Sequence, residues 1–271
     1  MDEPSPLRRI DDARRAIERE REILQAEINA FGRFACDLRT VEASDVRAVG
    51  GGTAGAQPAG AHATSVQSVG PAHATVGITG SVAKVRSLFA ETVMATPHYD
   101  DVYGEHWTEH LRGEFNQDLA AALEHQTTLS PEVKQALLEA TDQSIASRRR
   151  ILGSVEREAE LVETARRDLK SIHTAVESIL AQPLEQLEFN ALRLSRARLL
   201  ELEAACDELV AVRQPQISGR RDLTMAGIGA FEQYLYDDCA HTYPVLSAVA
   251  DLGERIDRER RALERSLASV R

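Results

Sequence analysis

The chain has 271 residues, 43% apolar and 28% charged, and its 43 acidic against 32 basic side chains give a formal net charge of −11. That length implies one or two domains with room for a buried core. The acidic balance excludes a general nucleic-acid binder, which needs a basic surface to displace counterions, and it disfavours anionic membranes.

The basic set is almost wholly arginine, with lysine only at Lys84, Lys134 and Lys170. Acidic excess with little lysine suits a salt-loaded cytoplasm, because carboxylates stay hydrated and repel one another. A GC-rich genome produces the same arginine bias. Cys36, Cys206 and Cys239 are odd in number and far apart, and they form no CxxC pair, so they read as small buried apolar residues in a reducing compartment. Met1-Asp2-Glu3-Pro4 carries neither a basic region nor an apolar stretch, and no run of about eighteen apolar residues occurs. Neither a signal peptide nor a membrane helix is expected, and the expected location is cytoplasmic.

The first predicted helix covers Pro6 to Val41, with Ser5 as N-cap and Pro6 at the first helical position. Its apolar seam repeats every seven residues at Ile10, Ile17, Leu24, Phe31 and Leu38, the pattern of a helix packed lengthwise against another. A second row is polar at Arg14 and Arg21 and becomes apolar at Ile28 and Ala35. Residues 48–83 then hold no Lys, Arg, Asp or Glu and eight of the sixteen glycines, which predicts a flexible linker. Its two histidines, His62 and His73, read as linker drift rather than a metal clip, and Gly50-Gly51-Gly52 lacks the ending of a phosphate loop.

A short helix is expected over 81–95, stopped by Pro97, and another over 114–126. Ser130-Pro131-Glu132 is a strong helix start, and the helix it opens is expected to run to Gln182. Its seam is Ile151, Val155, Val162, Ala165, Leu169, Ile172, Val176 and Ile179, interrupted only by Glu158. A further helix is expected over 184–212, then a loop over 214–219. A last helix follows Pro244, with a seam at Val249, Ile256, Leu263 and Val270, and it is able to pair with the first.

Two constellations bear on chemistry. His106-Trp107-Thr108-Glu109-His110 fits the inverted zinc-peptidase pattern H-x-x-E-H. On a helix, His106 and His110 face one way and can ligate a metal, with Glu109 as base and Glu105, Glu114, His98 or Asp101 as third ligand. No strand pattern accompanies it to hold a substrate, so this is an alternative and no cofactor is expected. The second constellation is a cluster of tyrosines, Tyr234, Tyr236 and Tyr243. With His98, Tyr99, Tyr103 and Trp107 it defines a candidate small-ligand pocket, although aromatics closing the end of a bundle give the same pattern.

Glu91-Thr92-Val93-Met94-Ala95-Thr96-Pro97-His98-Tyr99 with Tyr103-Gly104-Glu105, and Tyr234-Leu235-Tyr236 with Tyr243-Pro244-Val245-Leu246, resemble an uncharacterised haloarchaeal family with a domain of unknown function. The resemblance implies a soluble helical protein of a high-salt cytoplasm and carries no activity with it. The expectation is therefore an all-α fold, an elongated antiparallel bundle or coiled coil. Its segments are a long helix over 1–42, the linker over 43–80, a small helical subdomain over 81–128 and the main bundle over 129–271. The expected function is a non-catalytic scaffold or regulatory interaction protein. Its partner is a protein or a second copy, with charge supplied from outside at Arg14, Arg21 and Glu158. A metal-dependent hydrolase and a small-ligand sensor are the alternatives.

Overall fold

The computed structural model describes residues 6–44, 80–182, 187–219 and 231–269, and among these every regular element is a helix. The fold is all-α. In chain order the helices are α1 Pro6–Thr40, α2 Ser81–Thr92, α3 Tyr99–Val102, α4 Trp107–Glu114, α5 Gln117–His125, α6 Pro131–Leu180, α7 Phe189–Ser218, α8 Phe231–Leu235 and α9 Pro244–Ser269. Ser5, the linker over 45–79 with His62, His73 and the Gly50 run, and Val270 lie outside the described residues.

Two packing units divide the chain, Met1–Leu24 with Arg150–Arg271 and Gln25–Arg149. The division falls within α1 and within α6 rather than at the composition boundaries near residues 42, 80 and 128. The reason is the size of the intervening helices. Helices α2 to α5 have between 4 and 12 residues each. They enclose a core only by taking Phe31 and Phe34 from α1 and Leu137 from α6, all of them fully buried.

In the first unit, α1 as far as Leu24 and α6 from Arg150 pack with α7, α8 and α9. One apolar core holds Ile10 and Ile17 of α1, Val162 and Leu169 of α6, Leu199 of α7, Phe231 of α8 and Ile256 of α9. Ion pairs fix the directions. Asp11–Arg166 at 3.0 Å and Arg14–Glu163 at 3.1 Å make α1 and α6 antiparallel. Arg196–Glu264 at 2.9 Å and Glu203–Arg260 at 3.4 Å do the same for α7 and α9. The predicted pairing of first and last helices is present, with Arg9 of α1 2.7 Å from Asp251 of α9.

The second unit is built around four phenylalanines, Phe31, Phe34, Phe89 and Phe115, in mostly edge-to-face contacts. Side chains close the helix ends. Asn116 caps α5 by accepting from Leu119 N at 2.8 Å, and Ser130 caps α6 by accepting from Val133 N at 3.3 Å. Lys134 donates to the carbonyl of Arg39 in the last turn of α1 and to that of Val41 just past its end. Ahead of α2, Gly80 approaches Thr127 so closely that any side chain would collide with its carbonyl.

A row with alternating steps of four and three runs through α6: Leu137, Thr141, Ser144, Arg148, Ile151, Val155, Glu158, Val162, Ala165, Leu169, Ile172 and Val176. All but the half-buried Ile151 are buried. Arg148 and Glu158 are therefore core positions. The remaining differences from expectation are local. Helix α2 ends at Thr92, where the hydroxyl turns back to Leu88 O. The 98–126 stretch forms α3, α4 and α5, where the sequence predicts one helix over 114–126. Helix α7 passes through Pro215 and ends at Gly219, whose amide donates to Pro215 O at 2.9 Å. No described helix is long and apolar enough to cross a membrane.

Candidate functional site

Each unit holds a charged cluster in its core. In the second unit, Arg148 donates through Nε to Glu27 at 2.6 Å and through its two terminal nitrogens to Glu114 at 2.6 and 2.9 Å, with its guanidinium 4.5 Å above the Phe31 ring. The Tyr103 hydroxyl donates to Glu27 at 2.6 Å, and His98 Nε2 lies 3.3 Å from the same carboxylate oxygen. Beside them His110 packs against Tyr103, Tyr99 and Phe89, with ring centres 4.7, 5.1 and 5.7 Å away.

The electrostatics follow from this packing. Burial and the neighbouring Glu27 push the Tyr103 phenol well above its ordinary range. Burial alone raises the Glu114 carboxyl, but the Arg148 hydrogen bonds and charge outweigh it and hold the carboxyl low. Burial lowers His110, against the pull of Glu114, Glu105 and Glu27. The cluster thus holds a fixed Arg148–Glu114 pair, a phenol that stays protonated and a neutral imidazole.

In the first unit, Glu158 is fully buried and receives two bonds from Arg213, one of them at 3.1 Å, and one from the Tyr236 hydroxyl at 2.6 Å. The charge opposite Glu158 therefore comes from α7 of the same chain, which corrects the expectation that a second molecule supplies it. Arg14 pairs with Glu163 and Arg21 with Glu18, also within the chain.

His106 is the exposed N-cap of α4, with Nδ1 2.9 Å from Thr108 Oγ1, while His110 is buried one turn further on and Glu109 is exposed. Of the proposed third ligands, Glu114 is held by Arg148 and His98 faces Glu27. Among the described residues no group of three or more His, Cys, Asp or Glu is arranged to hold a metal ion. Trp107 lies beneath the Arg86 guanidinium.

The candidate pocket falls into two separately packed sets. His98, Tyr99, Tyr103 and Trp107 belong to the second unit; Tyr234, Tyr236 and Tyr243 belong to the first. Tyr234 bonds to Glu20, and Tyr243 is exposed. An open groove of about 640 Å³ on the second unit is lined by Ala26, Asn29, Gly32, Cys36, Pro97 and Arg149 among others, and by none of these seven residues. Of the three cysteines expected to be buried, only Cys206 is; Cys239 is half-buried and Cys36 is exposed. The Cys206 thiol is pushed up to about 11 by burial, away from reactivity.

All five residues of the heptad seam, Ile10, Ile17, Leu24, Phe31 and Leu38, are buried by the chain itself. The outward apolar surface is elsewhere, on α7. Its inner row, Leu192, Leu199, Leu202, Cys206 and Arg213, is buried. On the opposite side a second row with the same spacing, Leu194, Ala197, Glu201, Ala204, Glu208 and Ala211, is exposed throughout. Four of the six large apolar side chains exposed among the described residues lie on α7: Phe189, Leu194 (70%), Leu200 (37%) and Val212.

These features define an all-α protein with charge pairs locked into its cores and one helix that exposes large apolar side chains. The chain belongs to the family described as a domain of unknown function (DUF7260), which matches residues 8–260. No curated protein and no solved structure matched the chain.

Proposed function

We propose that the protein is a non-catalytic scaffold or regulatory interaction protein that acts through helix–helix contact. The observation that carries this reading is the outward side of α7, where Leu194, on an exposed row with helix-packing spacing, and Leu200, beside that row, stand in solvent. The buried ionisable groups support it, because each is neutral or matched within the chain and so poised for structure rather than turnover. The net charge of −11 favours a protein partner over a nucleic acid. The acidic, Lys-poor composition supports placing it in the cytoplasm of a halophilic archaeon.

Size fractionation of a lysate kept at high salt tests the reading. The wild-type chain is expected in an assembly larger than one copy, and Leu194→Glu is expected to elute as a single chain with its helical content intact. A wild-type chain of monomer size, unchanged by the substitution, would overturn it.

A further inference from the structure

We propose that the occupant of the α7 outer face is the α7 of a second copy of this chain, packed antiparallel about Leu200. This rests on the interaction reading above and names its partner. The argument is the distribution of charge and size along the exposed face. Its basic residues, Arg193 and Arg198, lie towards the N-terminus; its acidic residues, Glu201, Asp207 and Glu208, lie towards the C-terminus. Two copies in parallel would set base against base and acid against acid. Two copies in antiparallel bring opposite signs together, so the face is complementary to itself under a twofold axis.

The register follows from the same residues. With the axis at Leu200, Arg193 lies level with Asp207 of the second copy, Ala197 comes within one residue of the level of Ala204, and the two Leu200 side chains meet at the centre. The alanines at 197, 204 and 211, one heptad apart and all exposed, let the helix backbones approach to the short end of the 8–10 Å range. Arg198 and Glu201 already pair along the helix at 2.5 Å, which tempers the repulsion between the two Glu201 side chains near the axis. Leu194, the most exposed large apolar side chain among the described residues, comes within one turn of the stem of Glu208 of the second copy. The helix has 30 residues, about 45 Å of length at 1.5 Å per residue, so the contact has room for several heptad layers. This pairing uses no residue of the buried seam and leaves both cores closed.

Sedimentation velocity on the purified full chain, over a range of concentrations at low and at molar salt, reads the proposal. The wild type is expected to reach a dimer. Leu200→Glu, which sets acid against acid at the axis, is expected to raise the dissociation constant about tenfold or more. Because position 200 is exposed, circular dichroism should show the same helix content. Arg193→Glu and Asp207→Arg are each expected to weaken the dimer at low salt, and the double variant to restore it. That rescue arises only in the antiparallel register, because the parallel one still opposes like charges. A monomeric wild type at every concentration, or a dimer indifferent to Leu200→Glu, would overturn the proposal. If the purified chain is monomeric while the lysate assembly still disappears in Leu194→Glu, the second copy is excluded and the interaction reading stands.

Discussion

His110 is enclosed by Tyr99, Tyr103 and Phe89, and its Nε2 is buried with no hydrogen-bond partner among the described residues. Its proton affinity in the fold is set first by burial, which lowers it from the ordinary 6.5; Glu114, Glu105 and Glu27 oppose and Arg148 adds to the lowering. The unfolded chain therefore holds more protons on this residue than the folded one at mildly acid pH. Stability from this group is present above about pH 6.5 and is lost as the pH falls below it, by at most about 1.4 kcal/mol per pH unit. Glu114, held low by Arg148, acts in the same sense further into the acid range. Denaturant titrations are expected to show a midpoint that falls between about pH 7 and pH 5. His110→Phe keeps the ring packing and removes the titrating nitrogen, so its midpoint should stay flat over that interval. A slope as steep in the variant as in the wild type would place the linkage on another residue.

Among the elements, α6 and α7 are joined across the first core by Glu158, Arg213 and Tyr236. Removing one member of a buried pair strands the other, so Glu158→Leu or Arg213→Leu alone is expected to cost about 3–5 kcal/mol. Replacing Glu158 and Arg213 by Leu together with Tyr236→Phe removes these three polar groups together, instead of stranding one of them, and should cost far less than the two single losses added. Thermal melts of the four proteins check this; additive losses would show that the three residues do not act as a unit. The same row explains what the sequence discloses. The long helices α1, α6 and α9 are legible because their apolar residues recur every seven positions, and Pro6, Pro131 and Pro244 mark their starts. Glu158 and Arg148 fall on the α6 row in plain view. Taken alone, a charge on a seam reads as an interruption, and only the charges at Arg213, Glu27 and Glu114, remote in sequence, show it to be a core position. The spacing of 192, 199, 206 and 213 against 197, 204 and 211 on α7 was equally available as a sign of two seams. The expected helix over 184–212 already held that spacing; what was not legible is its continuation through Pro215 for one more turn, because proline is expected to end a helix. Helices α3 and α4 had no such signal, since segments of 4 and 8 residues hold too few turns for a period to emerge.

At the scale of the whole molecule, two electrostatic terms of opposite sign compete. The 43 acidic residues exceed the 32 basic ones, and this excess repels itself in the folded state at low salt. Against it stand many ion pairs on the helix surfaces, such as Arg14–Glu163, Arg21–Glu18 and Arg196–Glu264. Exposed pairs of this kind contribute about 0–1 kcal/mol each and fade as the screening length shrinks towards about 3 Å at 1 M salt. The buried pairs at Arg148 and Arg213 lie out of reach of that screening. Salt therefore relieves the repulsion, forfeits only weak contacts, and strengthens apolar burial along the long seams when the salt is one excluded from protein surfaces. Tm is expected to rise by several degrees between low and molar potassium chloride, and further in sulfate. A Tm that falls with added salt would mean that the surface ion pairs outweigh the net charge, and with it the case for a high-salt cytoplasm would weaken.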